Sequence, residues 1–156
     1  KVCYETGVKS SFAQWKVDGV NDYLVSDKKP VGYVDYVPAS GGKDMDALIT
    51  ITPKWDDGAT PEVQLEQIIT QKWLACFPES YEAWSEQRRT GYPKLFKVQT
   101  NNSGGTIDTE IMIRRLPFST DDADKDPAQY GFLKAALGGA DNGGTRLWWD
   151  AGQNRF

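Results

Sequence analysis

The chain has 156 residues, 39% hydrophobic and 26% charged, with a formal net charge of -4. That length suits one domain or a large piece of one, and the acidic balance argues against a nucleic-acid binder, which needs a basic stripe. No histidine is present, which removes histidine general bases, Ser-His-Asp triads and every histidine-containing metal site.

Six Trp, seven Tyr and six Phe are many for a chain of this size. Such side chains serve cores, interfaces and sugar-binding surfaces alike, and composition does not choose among them. Cys3 and Cys76 permit at most one bridge and make no disulfide framework. No apolar run reaches the length of a membrane span, and the first residues do not read as a signal peptide.

In chain order, Tyr4, Val8, Phe12 and Trp15 predict an amphipathic helix over about Cys3 to Trp15, ended by Asp18-Gly19. The sequence opens inside this pattern, so it is expected to be the tail of a longer polypeptide. A short helix or turn follows over Val20 to Val25. Residues 27–60 read as irregular, broken by Pro30, Pro38, Gly41, Gly42, Pro53 and Gly58. Two short extended strands, at 31–37 and 48–52, are expected between the breaks.

The clearest element runs from about Pro61 to Phe77. Thr60 is placed to cap it, Pro61 sits where a missing N–H costs nothing, and Glu62 lies near the positive end of the dipole. Leu65, Ile68, Ile69, Trp73 and Cys76 make its apolar stripe. Pro78 enforces a break. A second helix is expected from about Glu79 to Arg89, with Tyr81 and Trp84 inward, Arg88 and Arg89 in the last turn, and Gly91 as C-cap. The short connection predicts an antiparallel αα-hairpin.

Beyond Tyr92-Pro93 an edge strand is expected over 107–113, where Ile107, Ile111 and Ile113 alternate with more polar positions. The last helix is capped by Asp126, with Pro127 in first position, Gln129 in third and Gly138-Gly139 at its end; Tyr130, Leu133, Ala136 and Leu137 are its expected buried face. A glycine-rich tail carries Trp148 and Trp149.

Several chemistries fail on inspection. Counted from Asp122, oxygen ligands stand at positions one, three and five of an EF-hand loop, but Pro127 occupies the glycine position and Leu133 the glutamate position. The segment reads better as a solvated loop leading into the Asp126 cap, and no metal site is expected. Glu82 and Glu86, one helical turn apart, read as an exposed face, with nothing to indicate a hydrolytic cleft. The glycine pairs at 138–144 follow a helix, whose carbonyl end repels phosphate. Neither enzymatic activity nor a cofactor is expected. The doublets Arg88-Arg89 and Arg114-Arg115 are expected to tie irregular chain to carboxylates and carbonyls, with an anionic ligand as the alternative.

Two strings are more specific. Gln71-Lys72-Trp73-Leu74-Ala75 and the run from Glu82 through Trp84, Arg88, Arg89, Thr90, Gly91, Tyr92 and Pro93 resemble the C-terminal part of the SusD/RagB family. Arg114-Arg115-Leu116-Pro117-Phe118 resembles its following motif. Leu137 to Asp141, with Thr145 and Trp148-Trp149-Asp150, resembles its closing segment. The resemblance covers nearly the whole chain, in matching order.

It implies a mainly α fold with long irregular loops and a tetratricopeptide-like helix hairpin, incomplete here, with residues 1–156 forming the C-terminal portion. It further implies a lipid-anchored, cell-surface outer-membrane protein of Bacteroidetes-type bacteria. Such a protein captures oligosaccharides and passes them to a SusC-like TonB-dependent transporter; its anchor would lie upstream, and Cys3 is not that anchor. The motif residues Trp73, Trp84, Arg88 to Pro93, Arg114, Arg115 and Trp148 to Asp150 are expected to be scaffold. Aromatics in irregular chain, Tyr33, Tyr36 and Trp55, are the expected sugar platforms, with Asp56, Asp35 or Asp57 as hydroxyl acceptors, although burial in a loop-rich core is the alternative for them. A purely structural portion, packed against upstream helices with the glycan site elsewhere, is the second expectation. A carbohydrate-active enzyme is a distant third.

Overall fold

In the computed structural model the described residues are 1–37 and 43–150. They form two compact units that divide after Phe96. Pro38, Gly41 and Gly42, read above as breakers, lie outside the described residues.

The first unit holds four helices, α1 (Val2–Trp15), α2 (Val20–Leu24), α3 (Pro61–Ala75) and α4 (Ser80–Thr90). Tyr4 and Val8 are the buried residues of α1, and Phe12 packs against Tyr23 of α2 with ring centroids 5.2 Å apart. Lys16, left-handed at φ 54, ends α1. Thr60 caps α3 by accepting from the Val63 N–H, and Glu79 caps α4 by accepting from the Tyr81 N–H. Gly91 closes α4 at φ 77.

The hairpin is antiparallel, as its cross-links show. Lys72, near the end of α3, pairs with Glu82 in the first turn of α4 at 2.6 Å. Tyr92, just past α4, donates its hydroxyl back to Glu62 in the first turn of α3 at 2.9 Å. The Phe77-Pro78 and Tyr92-Pro93 peptides are both cis.

The second unit carries α5 (Thr120–Lys125) and α6 (Pro127–Leu137). Asp126 caps α6 by accepting from the Gln129 N–H at 2.9 Å, and Gly138 ends it at φ 71. The acidic segment expected as a loop is α5, because the Ser119 hydroxyl accepts from Asp121 and nucleates a turn that Asp121–Lys125 pairing extends.

The expected strands are absent among the described residues. Among the described residues, 31–37 form a β-bridge at Tyr33–Met45 and 107–113 one at Asp108–Met112, and no ladder extends from either. Aspartate side chains divert the ladder. Asp44 accepts the Asp35 N–H, and Asp108 accepts the N–H groups of both Glu110 and Ile111, curling the chain into a turn. Along 43–50, half-buried and exposed residues alternate as in a strand, yet 48–52 pairs with nothing regular.

Burial also departs from the apolar stripes. In α3 the buried residues are Glu66, Gln67, Ile69 and Thr70, while Ile68 is exposed. Gln67 faces loop backbone and Glu66 lies one turn on from Glu62, the acceptor of the Tyr92 hydroxyl, neither of which the apolar period reveals; the buried Thr70 hydroxyl finds no hydrogen-bond partner among the described residues. Tyr81 points outward and is 77% exposed; Ala83 and Thr90 are the buried residues of α4. In α6 Tyr130, Leu133 and Leu137 are half-buried and Ala136 is exposed, so its expected inner face is only partly covered.

Candidate functional site

Gln67 organises the irregular chain ahead of α3. Its side-chain N–H₂ donates to the carbonyls of Thr52 (3.2 Å) and Lys54 (2.8 Å), and its oxygen accepts from the Asp56 N–H (3.4 Å). The Tyr4 hydroxyl donates to the Pro53 carbonyl at 2.6 Å, and burial, with Tyr23 adding to it, pushes the Tyr4 phenol up. Trp55 is thereby seated on Tyr4, ring centroids 5.0 Å apart, and its indole N–H donates to Asp57 at 3.0 Å. Asp56 accepts from the Gly58 N–H at 2.8 Å and so shapes its own turn. Of the three expected sugar platforms, Trp55 is thus held, with the expected acceptors Asp56 and Asp57, in a clamped loop.

The other two come together elsewhere in the unit. Tyr33 and Tyr36 border an open recess of about 630 Å³, lined also by Val31, Val34, Asp44, Met45 and Asp46, and not by Trp55 or Asp56. The Tyr33–Met45 bridge holds its walls, with Tyr33 N–H donating to Met45 at 2.8 Å and Met45 N–H returning to Tyr33 at 3.0 Å. Gly32 is required beside it, since a Cβ there would lie 2.5 Å from the Met45 carbonyl oxygen. Tyr36 is 87% exposed and Tyr33 43% exposed, the latter backed by Phe96. Asp35, an expected hydroxyl acceptor, instead accepts from the Val37 and Lys43 N–H groups. Sequence reasoning missed Asp44 and Asp46. Their signal was the two-residue spacing that sets both on the exposed side of an alternating run.

An apolar groove of about 480 Å³ also lies between α1, α2 and α3, lined by Val8, Phe12, Tyr23, Ile68 and Leu74 among others. It offers shape but little chemistry for orienting a polar ligand.

The motif residues act as fasteners. Thr90 is almost wholly buried; its hydroxyl donates to the Glu86 carbonyl at 2.7 Å and accepts from the Tyr92 N–H at 3.1 Å. Pro93 is fully buried beside it in sequence. The Arg88 guanidinium stacks on Trp84 at 3.6 Å, and Arg89 pairs with Glu86 at 2.7 Å. The Arg89 hydrogen bond leads in holding the Glu86 carboxyl below its ordinary value. Trp73 is half-buried and lines a shallow recess at the hairpin tip.

In the second unit Arg114 makes a two-pronged pair with Asp150, both buried, and Arg146 joins Asp150 at 2.9 Å. Arg115 pairs with Asp141 at 2.7 Å. Burial pushes the Asp141 carboxyl up, but Arg115, the Phe118 N–H and the Tyr130 hydroxyl together hold it below the ordinary range. Both arginine N–H groups converge on the Gly143 carbonyl, and a Cβ at Gly143 would lie 2.7 Å from Ile107. Arg114-Arg115 therefore ties irregular chain to carboxylates and a carbonyl as expected, whereas the contacts of Arg88 with Trp84 and of Arg89 with Glu86 lie within α4. Trp148 of the same segment is 92% exposed and Trp149 40% exposed. No group of three or more acidic or cysteine side chains is arranged to hold a metal among the described residues, and no helix among them is long and apolar enough to cross a membrane.

A family model described as SusD-like, Susd and RagB outer membrane lipoprotein, matches residues 1–150. The chain belongs to the SusD-like family. A SusD homologue from Bacteroides vulgatus is 65% identical, with a TM-score of 0.86 over 99% of this chain and 31% of its own. A chitin-binding SusD homologue from Flavobacterium johnsoniae is 45% identical, with a TM-score of 0.86 over 98% of this chain and 32% of its own. A SusD homologue from Bacteroides uniformis is 41% identical, with a TM-score of 0.83, covering 94% and 30%. No curated protein matches the chain. The mainly α fold with long loops and one helix hairpin is therefore the SusD-type architecture, of which this chain spans about 31% of the length of its first relative.

Proposed function

We propose that the protein is a non-enzymatic oligosaccharide-capture component at the outer membrane, and that the recess bordered by Tyr33 and Tyr36 contributes to its sugar site. The observation that carries this is the pair of exposed tyrosine rings beside a recess holding two carboxylates. A pyranose presents an apolar C–H face to an aromatic plane while carboxylates accept from its hydroxyls. The recess volume falls in the range of small-ligand sites. SusD-like membership and the chitin-binding relative point the same way. Capture is reversible, with no bond made or broken, and delivery goes to a SusC-like TonB-dependent transporter at the cell surface.

The test is a titration of oligosaccharides against the full chain, followed by intrinsic fluorescence and calorimetry. Tyr33→Ala/Tyr36→Ala removes saturable binding with the helical circular dichroism retained, and Tyr36→Ala alone, at a ring 87% exposed, weakens binding with the melting temperature unchanged. Trp55→Ala, by contrast, lowers melting, because its ring packs on Tyr4. Undiminished affinity in the tyrosine double variant would defeat the assignment.

The groove between α1, α2 and α3 favours a second reading, in which this portion is scaffold and the glycan site lies elsewhere in the protein. Its apolar lining suits a helix from the two thirds of length that the relatives possess beyond the matched part. Glycan binding by this chain with the recess intact and lost with the tyrosines counts against it.

A further inference from the structure

We propose that the tyrosine-lined recess selects oligosaccharides carrying free amines, that is, cationic hexosamines, over acetylated ones, and disfavours uronic acids and sulfated sugars. This rests on the reading of the recess as a sugar site and names its substrate class.

The charges that line the recess are of one sign. Asp44 and Asp46 lie in its wall, and no lysine or arginine lines it among the described residues. Asp44 commits one carboxylate oxygen, Oδ1, to the Asp35 N–H at 2.8 Å. Asp46 is exposed and makes no hydrogen bond or ion pair with the described residues. Nearby Asp35 has both carboxylate oxygens engaged by backbone, accepting from the N–H groups of Val37 and Lys43. Carboxylates set beside aromatic faces form a site for an ammonium group. The ammonium gains charge-assisted hydrogen bonds from the acids and a favourable position over the electron-rich ring of Tyr36 or Tyr33. A neutral acetamido group keeps the stacking and forgoes the charge. A uronate brings like charge to the same wall and is repelled.

The experiment uses the full chain and three tetrasaccharides: tetraglucosamine, tetra-N-acetylglucosamine and tetragalacturonate. Isothermal titration at low ionic strength is expected to show tetraglucosamine bound roughly threefold to tenfold more tightly than its acetylated counterpart, the gain of one or two solvent-exposed ion pairs. Tetragalacturonate binds most weakly. The advantage shrinks at high salt. Asp44→Asn/Asp46→Asn weakens tetraglucosamine binding more than that of the acetylated sugar and so removes the ranking, while an asparagine oxygen at 44 still accepts the Asp35 N–H. Asp46→Asn alone removes no hydrogen bond among the described residues and narrows the ranking.

Equal affinities in the unaltered protein, or a ranking that survives the double asparagine variant, overturn the inference. If that happens while Tyr33→Ala/Tyr36→Ala still abolishes binding, the sugar site stands and only its charge selection falls. If the tyrosine variant binds all three as before, or the unaltered protein binds none, the site assignment and the inference fall together.

Discussion

At the scale of single residues, buried charge sets the strongest constraints. Arg114 and Asp150 are both buried in the second unit and locked in a two-pronged pair. Removing either partner strands the other charge away from water. Arg114→Ala is expected to cost about 3–5 kcal/mol in urea unfolding, whereas Arg89→Ala, whose side chain is half exposed, costs under ~1 kcal/mol. Glu66 behaves oppositely. Burial raises its carboxyl pKa, Lys94 pulls it down and Glu62 pushes it up, with a net upward shift. The folded state then holds the proton more tightly than the unfolded chain, so this contribution to stability is full below the ordinary glutamate value and is lost as pH rises through the folded one. Glu66→Gln should therefore raise the melting temperature at neutral pH, with the gain vanishing in acid. A gain that persists in acid would show that packing, not ionisation, is responsible. The Arg114-Arg115 doublet was legible in sequence as a tie-down group, while Arg88 and Arg89 make their contacts with Trp84 and Glu86 inside α4. Which acids Arg115 and Arg114 meet was not legible, because Asp141 and Asp150 lie 26 and 36 residues away along the chain.

At the scale of elements, what was legible follows from local chemistry. Thr60, Pro61, Asp126 and the glycines at 91 and 138 mark the ends of α3, α4 and α6 through interactions within a few residues, and these ends stand where the sequence puts them. Asp126→Ala should destabilise the second unit by about 1 kcal/mol in denaturant unfolding, while Asp126→Asn keeps most of that. Equal loss in both variants would mean that charge near the helix terminus matters more than the cap hydrogen bond. The strands were misread for a related reason. The β-branched and aromatic residues at 31–37 and the spaced isoleucines at 107–113 are strand formers in composition, but 31–37 is exposed at every position except Asp35, and Ile111 and Ile113 are exposed as well. A strand also needs a neighbour to donate to, and here Asp44 and Asp108 satisfy backbone N–H groups first. The apolar stripe of α3 erred likewise. Gln67 is buried because the helix faces loop backbone there, which no hydrophobic period can announce, while the buried Thr70 hydroxyl finds no hydrogen-bond partner among the described residues.

At the scale of the whole molecule, family and fold were legible because the motif strings are fasteners whose spacing is fixed by the hairpin and by the paired arginines. The candidate site was half legible. Tyr33 and Tyr36 were named from their place in irregular chain, while Asp44 and Asp46 needed the bridge at Met45 to bring them to the same wall. Surface composition leads to a further expectation. Ile68, Leu74, Phe77 and Trp15 are all exposed in the first unit, and contiguous apolar surface promotes association. The 156-residue chain should self-associate in sedimentation as its concentration rises. Ile68→Glu/Leu74→Glu should suppress this without loss of helical circular dichroism. A chain that stays monomeric at high concentration would show that this surface is too divided to act as one patch.

The Gln67 clamp has a consequence for how such a protein can change. It grips the loop ahead of α3 through two carbonyls and one N–H, touching main chain only. Side chains from Thr52 to Asp56 are invisible to that grip, so the path of the loop is insured separately from its chemistry. The segment works as a partial cassette: new side chains can be tried at Thr52 and Lys54, and new ligands met, while one buried amide keeps the backbone on its course and Trp55 and Asp56 hold the turn beyond.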